Sequence, residues 1–377
     1  MNDVKSSFGR AARSLCNSRK SGNRAFVKDD GLVPDDGLSV EKLADKFRDF
    51  LIFSTPGHKG RLCGKDVTEY DGGRLFPAFS VENACLKAAR RYGVKSARLL
   101  EGGASMGIKA AIMAADADIT APLFTHVSAF KGARLAGKKL FTFDTGEKDG
   151  LPAVPTPEDY EKAFALYPSS GAALVTSPDY FGRCAPVKEI KKVCDRAGKI
   201  LIADCAHGAH FASRPDLFPF GAEKIADMAV LSAHKTLRAL TQTAIGVCNN
   251  PAFTAAFDDA LDLLDTTSPS YLLLASLENA MEFERENAQK YDDLYKSCLE
   301  LRKSVSCLFN DDPLRLAVCA AKYGLTGEEL FNMLINKRIM PETYYGDYCV
   351  FIVTLSDSCE KTDALKNALK EILIERG

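Results

Sequence analysis

From about residue 95 the chain alternates short apolar runs with amphipathic segments. KKLFTF, GAALVTS, KILIAD and MAVLSA are too short for core helices and read as buried strands. Between them, VKEIKKVCDRAG sets Val187, Ile190, Val193 and Cys194 on one face at helical spacing. Buried strands separated by covering helices predict an α/β fold, with a mostly parallel sheet joined by crossovers and covered on both faces. After residue 270 the pattern changes: 270–305 is a long charged helical run, followed by DPLRLAVCA, a helix from about Thr326, the strand CVFIVTL and a last helix to Glu375. The expected division is an N-terminal arm and helix over 1–50, a large domain over 51–280 and a small C-terminal α+β domain over 281–377.

The totals narrow the function. Formal net charge is −1 and no long basic tract occurs, so neither nucleic acid nor a membrane surface is expected as a partner. The twelve cysteines are scattered with no C-x-x-C pair, so no metal site is expected, and a reducing cytoplasm suits them. The basic N-terminus has no apolar stretch behind it and does not read as a signal peptide.

Chemistry-bearing residues collect in a few segments. All five histidines, His58, His126, His207, His210 and His234, fall in glycine-, serine- or aspartate-rich stretches. Lys235 follows Ser232-Ala233-His234 at the end of an apolar strand, where burial would suppress its charge and leave a nucleophilic amine. Alone, it could equally be an exposed lysine after a strand. Asp204 closes KILIAD, a place where ligands bind in open α/β sheets, and its carboxylate calls for a cationic partner; capping of the next turn is the other reading. EGGASMG, with Gly103, Ala104 and Ser105, lies between a strand and a helix, where backbone N–H groups can cradle a phosphate. In one chain order, a phosphate turn, His126, Asp204 and Ser232–Lys235 match the layout of a pyridoxal 5'-phosphate (PLP) enzyme of fold type I.

The sequence resembles the Orn/Lys/Arg decarboxylases of that fold type. STPGHKG at 54–60 looks like the family's P-G-H-K signature, DVTE at 66–69 like D-x-T-E, and DCAHGAHF at 204–211 like D-E-A-H-G-x-H. SAHKTLRALTQTA at 232–244, TTSPSYLLLASLENA at 266–280, GLTGEEL at 324–330 and the Pro341-Glu342 pair continue the likeness. The resemblance implies that Lys235 carries PLP as a Schiff base, that Asp204 pairs with the pyridine nitrogen, and that His126 stacks on the ring. It further implies a phosphate site from Gly103, Ala104, Ser105, Ser232 and His234, with His207 beside the cofactor and substrate. Thr267 and Ser268 would reach the partner's phosphate in a homodimer with shared active sites. The implied reaction is decarboxylation of arginine, lysine or ornithine to the amine, with Glu342 as the candidate group for the distal cation.

Several positions depart from the family pattern. Ala104, Met106 and Ile108 are apolar where relatives carry more polar residues, Cys205 replaces a glutamate, and DGGRLFPA at 71–78 lacks an acidic pattern. At 377 residues, the chain resembles a short form without a wing domain. An aminotransferase or a lyase acting on another amino acid is the second expectation, since Arg315 and Arg338 are available for an α-carboxylate. A non-catalytic homologue is the third.

Overall fold

The structure, a computed structural model, describes residues 80–374. The segments 1–50, 54–60 (with His58), 66–69 and 71–78 lie outside the described residues.

The first described helix, α1 (Ser80–Tyr92), buries Ala84, Cys85, Ala88, Ala89 and Tyr92 at three- and four-residue spacing. It leads into the larger sheet, whose strands are β1 (Ser96–Leu100), β2 (Ile119–Pro122), β3 (Leu140–Phe143), β6 (Ala172–Thr176), β7 (Ile200–Asp204), β8 (Met228–Ser232) and β9 (Ala244–Cys248). The spatial order is β1-β9-β8-β7-β6-β2-β3. Every pair from β8 through β3 is parallel, whereas β9 runs antiparallel to both of its neighbours. The expected mostly parallel sheet is therefore present, with one reversed strand. A short hairpin, β4 (Glu147–Lys148) and β5 (Leu151–Pro152), follows β3.

Helices cover both faces. On one face lies α2 (Gly103–Ala115), followed by α3 (Val127–Ala136); on the other lies α5 (Val187–Arg196), preceded by α4 (Pro157–Leu166). Thr156 and Asp159 close a reciprocal capping box at the start of α4. On α5 the buried residues are Val187, Ile190, Val193 and Cys194, the stripe expected from spacing. Beyond the sheet come α6 (Ala233–Thr236), α7 (Pro251–Leu264), α8 (Tyr271–Glu286) and α9 (Tyr291–Ser304). The helical run expected over 270–305 is thus divided. Its first half ends where Asn287 donates from its backbone and from Nδ2 to the Phe283 carbonyl, and a 3-10 turn over Ala288–Lys290 starts the second.

The small sheet joins β10 (Arg315–Cys319), β12 (Tyr348–Ile352) and β11 (Thr343–Tyr345) in antiparallel pairing. It packs with α9, α10 (Gly327–Asn336) and α11 (Cys359–Ile374) around Leu294, Leu301, Leu316, Leu330, Leu334 and Leu369. No helix of the described residues is long and apolar enough to cross a membrane.

Close packing of α2 on the sheet depends on Gly107. A Cβ there would stand 2.7 Å from Val230 Cγ1 and 2.9 Å from Leu100 Cδ1, on strands that cannot retreat. Gly107→Val is expected to lower stability by about 1–3 kcal/mol, read as a fall in the urea midpoint at unchanged slope.

Candidate active site

Strands β1, β2, β3, β6, β7 and β8 all point the same way, so their carboxyl ends share one edge of the sheet. Ligands in such sheets bind at that edge. A cavity of about 530 Å³ opens there. Its lining includes Gly103, Ala104, Ser105, His126, Asp204, His207, Ser232, His234 and Lys235, from the last residues of β7 and β8 and the segments that follow β1, β2, β7 and β8. Thus nine positions singled out in the sequence meet around one space. Thr267 and Ser268 do not line it; they are exposed in the segment before α8. That segment is tied to the turn after β1, where the Ser270 N–H donates to Glu101 Oε2 at 2.5 Å. Glu342 is exposed outside the lining, and its Oε1 accepts from the hydroxyl of Tyr180, a residue of the cavity wall, at 3.0 Å.

One end of the cavity is an anion cup. Helix α2 starts at Gly103 with no side-chain cap and no acidic residue in its first turn, which leaves its leading N–H groups available. Gly103 has φ +74°. Across from it, Ser232 is wholly buried, and its Oγ lies 3.2 Å from Nδ1 of His234. Nδ1 of His234 also lies 3.2 Å from the Thr243 carbonyl; since a carbonyl only accepts, the ring proton sits on Nδ1.

The other end carries the titrating groups. Asp204 Oδ1 accepts from the Ala206 N–H at 3.0 Å. Burial pushes the Asp204 carboxyl up, against the opposing pull of the Ala206 N–H, Lys235 and His126. No lysine or arginine of the described residues makes an ion pair with it. Burial also lowers Lys235, with Arg315 adding to the effect and Asp204 and Glu342 opposing it. His126 caps the start of α3, its Nδ1 accepting the Ser128 N–H at 3.2 Å, so in the neutral ring the proton is on Nε2.

This set fits the group that the resemblance implies. The helix start with Ser232 and His234 suits a phosphate, the buried and unpaired Asp204 suits a cationic ring nitrogen, and the charge-suppressed Lys235 suits an aldehyde.

Tyr180, Asp179 and Arg183 of the wall gave no sequence signal as site residues, and Thr241 and Gln242, though inside the 232–244 block that resembles the family, were given no role. Gln242 is the most telling, because it has φ +77° beside the anion cup. Such backbone strain in a non-glycine residue collects at functional sites. Asp179 is already engaged, its carboxylate accepting from Phe181 N, Arg183 N and Arg183 Nε.

The raised carboxyl of Asp204 has a consequence for stability. Its folded form takes up a proton at higher pH than its unfolded form, so stability falls as pH rises through the folded pKa. Asp204→Asn, with no ligand added, is expected to gain about 0.5–2 kcal/mol at neutral pH. In denaturant titrations the gain should vanish as pH drops below the ordinary aspartate range.

Residues 141–358 match the family described as Orn/Lys/Arg decarboxylase, major domain. The arginine decarboxylase of Halalkalibacterium halodurans is 29% identical over 238 residues, which cover 58% of this chain and 48% of that protein. The arginine decarboxylase of Bacillus subtilis strain 168 gives the same identity and coverage, so the aligned part spans about half the length of these curated relatives. Among solved structures, the Francisella novicida lysine decarboxylase LdcF superposes with TM-score 0.75 at 15% identity, covering 88% of this chain and 59% of that chain. The fold is fold type I, and the chain belongs to the Orn/Lys/Arg decarboxylase family.

Proposed function

We propose that this protein is a PLP-dependent decarboxylase that converts a basic amino acid, arginine, lysine or ornithine, to the corresponding amine. The observation that carries this reading is the meeting of Lys235, Asp204, His126 and the anion cup in one cavity of a chain that belongs to this family. The cavity residues support PLP as the cofactor. Gly103, Ala104, Ser105, Ser232 and His234 would hold its phosphate, Asp204 its ring nitrogen, His126 its ring face and Lys235 its aldehyde carbon. When bound, PLP takes up the electron pair released at the substrate's Cα as CO2 departs.

The chain's own residues have distinct tasks. Asp204 keeps a negative charge beside the ring nitrogen's position, so a proton there is retained. Lys235 supplies an uncharged amine, which a substrate amine would displace and which would return to release product. His207, with Nε2 3.2 Å from Lys235 Nζ, would hold that amine in place through a hydrogen bond. Tyr180 directs its hydroxyl at Glu342, whose carboxylate would meet the substrate's distal cation. Thr267 and Ser268, exposed on their segment, would complete the phosphate site of a second copy in a homodimer. The cytoplasm is the compartment this reading assigns.

One observation favours a second reading, an aminotransferase. Arg315 is buried, and its Nε and Nη1 have no partner among the described residues, as a site for an α-carboxylate would leave them. Incubation with PLP and a panel of amino acids separates the two. Equal release of CO2 and amine supports decarboxylation; a 2-oxo acid without CO2 supports the aminotransferase and sinks the first reading. Lys235→Ala is expected to lose the borohydride-reducible bond to PLP and to slow turnover more than about 10²-fold. A wild-type protein that forms no such bond is a non-catalytic homologue.

A further inference from the structure

Arg315 opens β10 in the small sheet, and its side chain is buried behind His207. Its Nη2 stands 3.1 Å from Nδ1 of His207, and Nε2 of the same ring stands 3.2 Å from Nζ of Lys235. A guanidinium can only donate, so Nδ1 accepts. Burial, helped by Arg315 and Lys235, holds the ring neutral, its pKa well below the ordinary histidine range. The single ring proton then belongs on Nε2, directed at Nζ. An ammonium has no lone pair with which to accept it; a free amine has one.

We propose that Arg315 is a positioning residue for Lys235: by donating to His207 Nδ1 it fixes the ring proton on Nε2, and that N–H holds the lysine as a neutral amine. The relay spans the two parts of the fold, from the small sheet through the segment after β7 to the turn after β8. It rests on the reading of Lys235 as the residue that binds PLP.

The surroundings define the balance. Lys235 faces Asp204 and Glu342, which favour the ammonium, and Arg315 and His207, which oppose it. His207 is met by Arg315, Lys235, His126 and His210, with the Tyr180 ring edge-on at 5.1 Å; none of these is a carboxylate. Arg315 is surrounded by Asp312, Tyr180, Glu342 and Asp179, which sustain its charge against burial. Its backbone is fixed as well. The Arg315 carbonyl accepts from Arg302 Nη2 at 2.9 Å and from Asn310 Nδ2 at 2.7 Å. A guanidinium has no nitrogen that can accept, so the contact from Nη2 dictates the tautomer of the ring.

Binding of PLP reads the state of the lysine directly. The neutral nitrogen adds to the aldehyde carbon, one water leaves, and only the unprotonated amine reacts. Wild type, Arg315→Met, Arg315→Lys, His207→Phe and the Arg315→Met/His207→Phe double variant would be mixed with PLP across a range of pH. Capture would be timed by borohydride reduction and the mass of the Lys235 peptide, with thermal melts to confirm folding. In Arg315→Met the ring is free to carry its proton on Nδ1 and accept from the ammonium, so capture at neutral pH should slow about tenfold and recover at higher pH. Arg315→Lys, which keeps a charged donor, should restore most of the rate. His207→Phe should shift the profile likewise, and the double variant no further, because the two residues act in series.

An unchanged capture profile in folded Arg315→Met overturns the proposal. So does a further shift in the double variant, which would mean that the charge acts through space. Weaker amino-acid binding with normal capture also overturns it and assigns Arg315 to the substrate's carboxylate. If Arg315→Met does not fold, unchanged capture in His207→Phe is decisive against the relay. Failure of the wild type to capture PLP is a separate outcome, and it removes the functional reading itself.

Discussion

Strand β7 lies between two parallel neighbours, and all but its first residue are buried. A strand so placed has no room for a charge until its last residue, where the sheet stops and the cavity begins. Asp204 occupies that residue. The parallel direction that buries the strand also forces each connecting helix to return the chain to the same starting side. As a result β1, β2, β3, β6 and β8 deliver their following segments to the edge that Asp204 marks. The reversed β9 adds to this, since its incoming segment brings Thr241 and Gln242 to the same place.

Burial shifts the groups gathered there toward their neutral forms. The Asp204 carboxyl is pushed up, and the Lys235 amine and the His207 ring are pushed down, each chiefly by burial. Together with the strained backbone at Gln242, these costs make the cavity a place of stored free energy in the unliganded chain. A ligand with a cationic ring nitrogen and an electrophilic carbon relieves two of these costs, at Asp204 and at Lys235. Relief of this kind couples binding to stability, because whatever binds only the folded state raises its stability.

What could be read from the sequence was set by distance along the chain. Lys235, Asp204, Ser232 and His234 stand at the ends of apolar runs or just beyond them, so their strands announce them, and parallel pairing brings them together. His126 and the turn at Gly103–Ser105 fall at comparable boundaries. Arg315 was legible as an arginine available for an α-carboxylate but not as a neighbour of His207, which is 108 positions away with no local pattern to link the two. Tyr180 meets Glu342 across 162 positions, and a lone tyrosine in a loop carries no periodic signal. The division of the helical run at Asn287 was hidden for a different reason: the residues on both sides favour helix, and one side-chain bond to the Phe283 carbonyl makes the difference.

The junction between the small sheet and the cavity wall is built from backbone groups and one side-chain amide. Asn310 Nδ2 donates to the carbonyls of both Phe181 and Arg315, and the N–H groups of Asp311 and Asp312 donate to the Gly182 carbonyl. Gly182, at φ +80°, leaves no space for a Cβ beside that of Arg315, at 2.7 Å. Wall and small sheet are therefore mechanically one piece at this point. Any displacement that widens the cavity by moving the small sheet must carry Tyr180, Phe181 and Arg315 along together. The hydrogen bond from Arg315 to His207 is thus anchored on the same junction that carries Tyr180 into the cavity wall, and the two share one foundation.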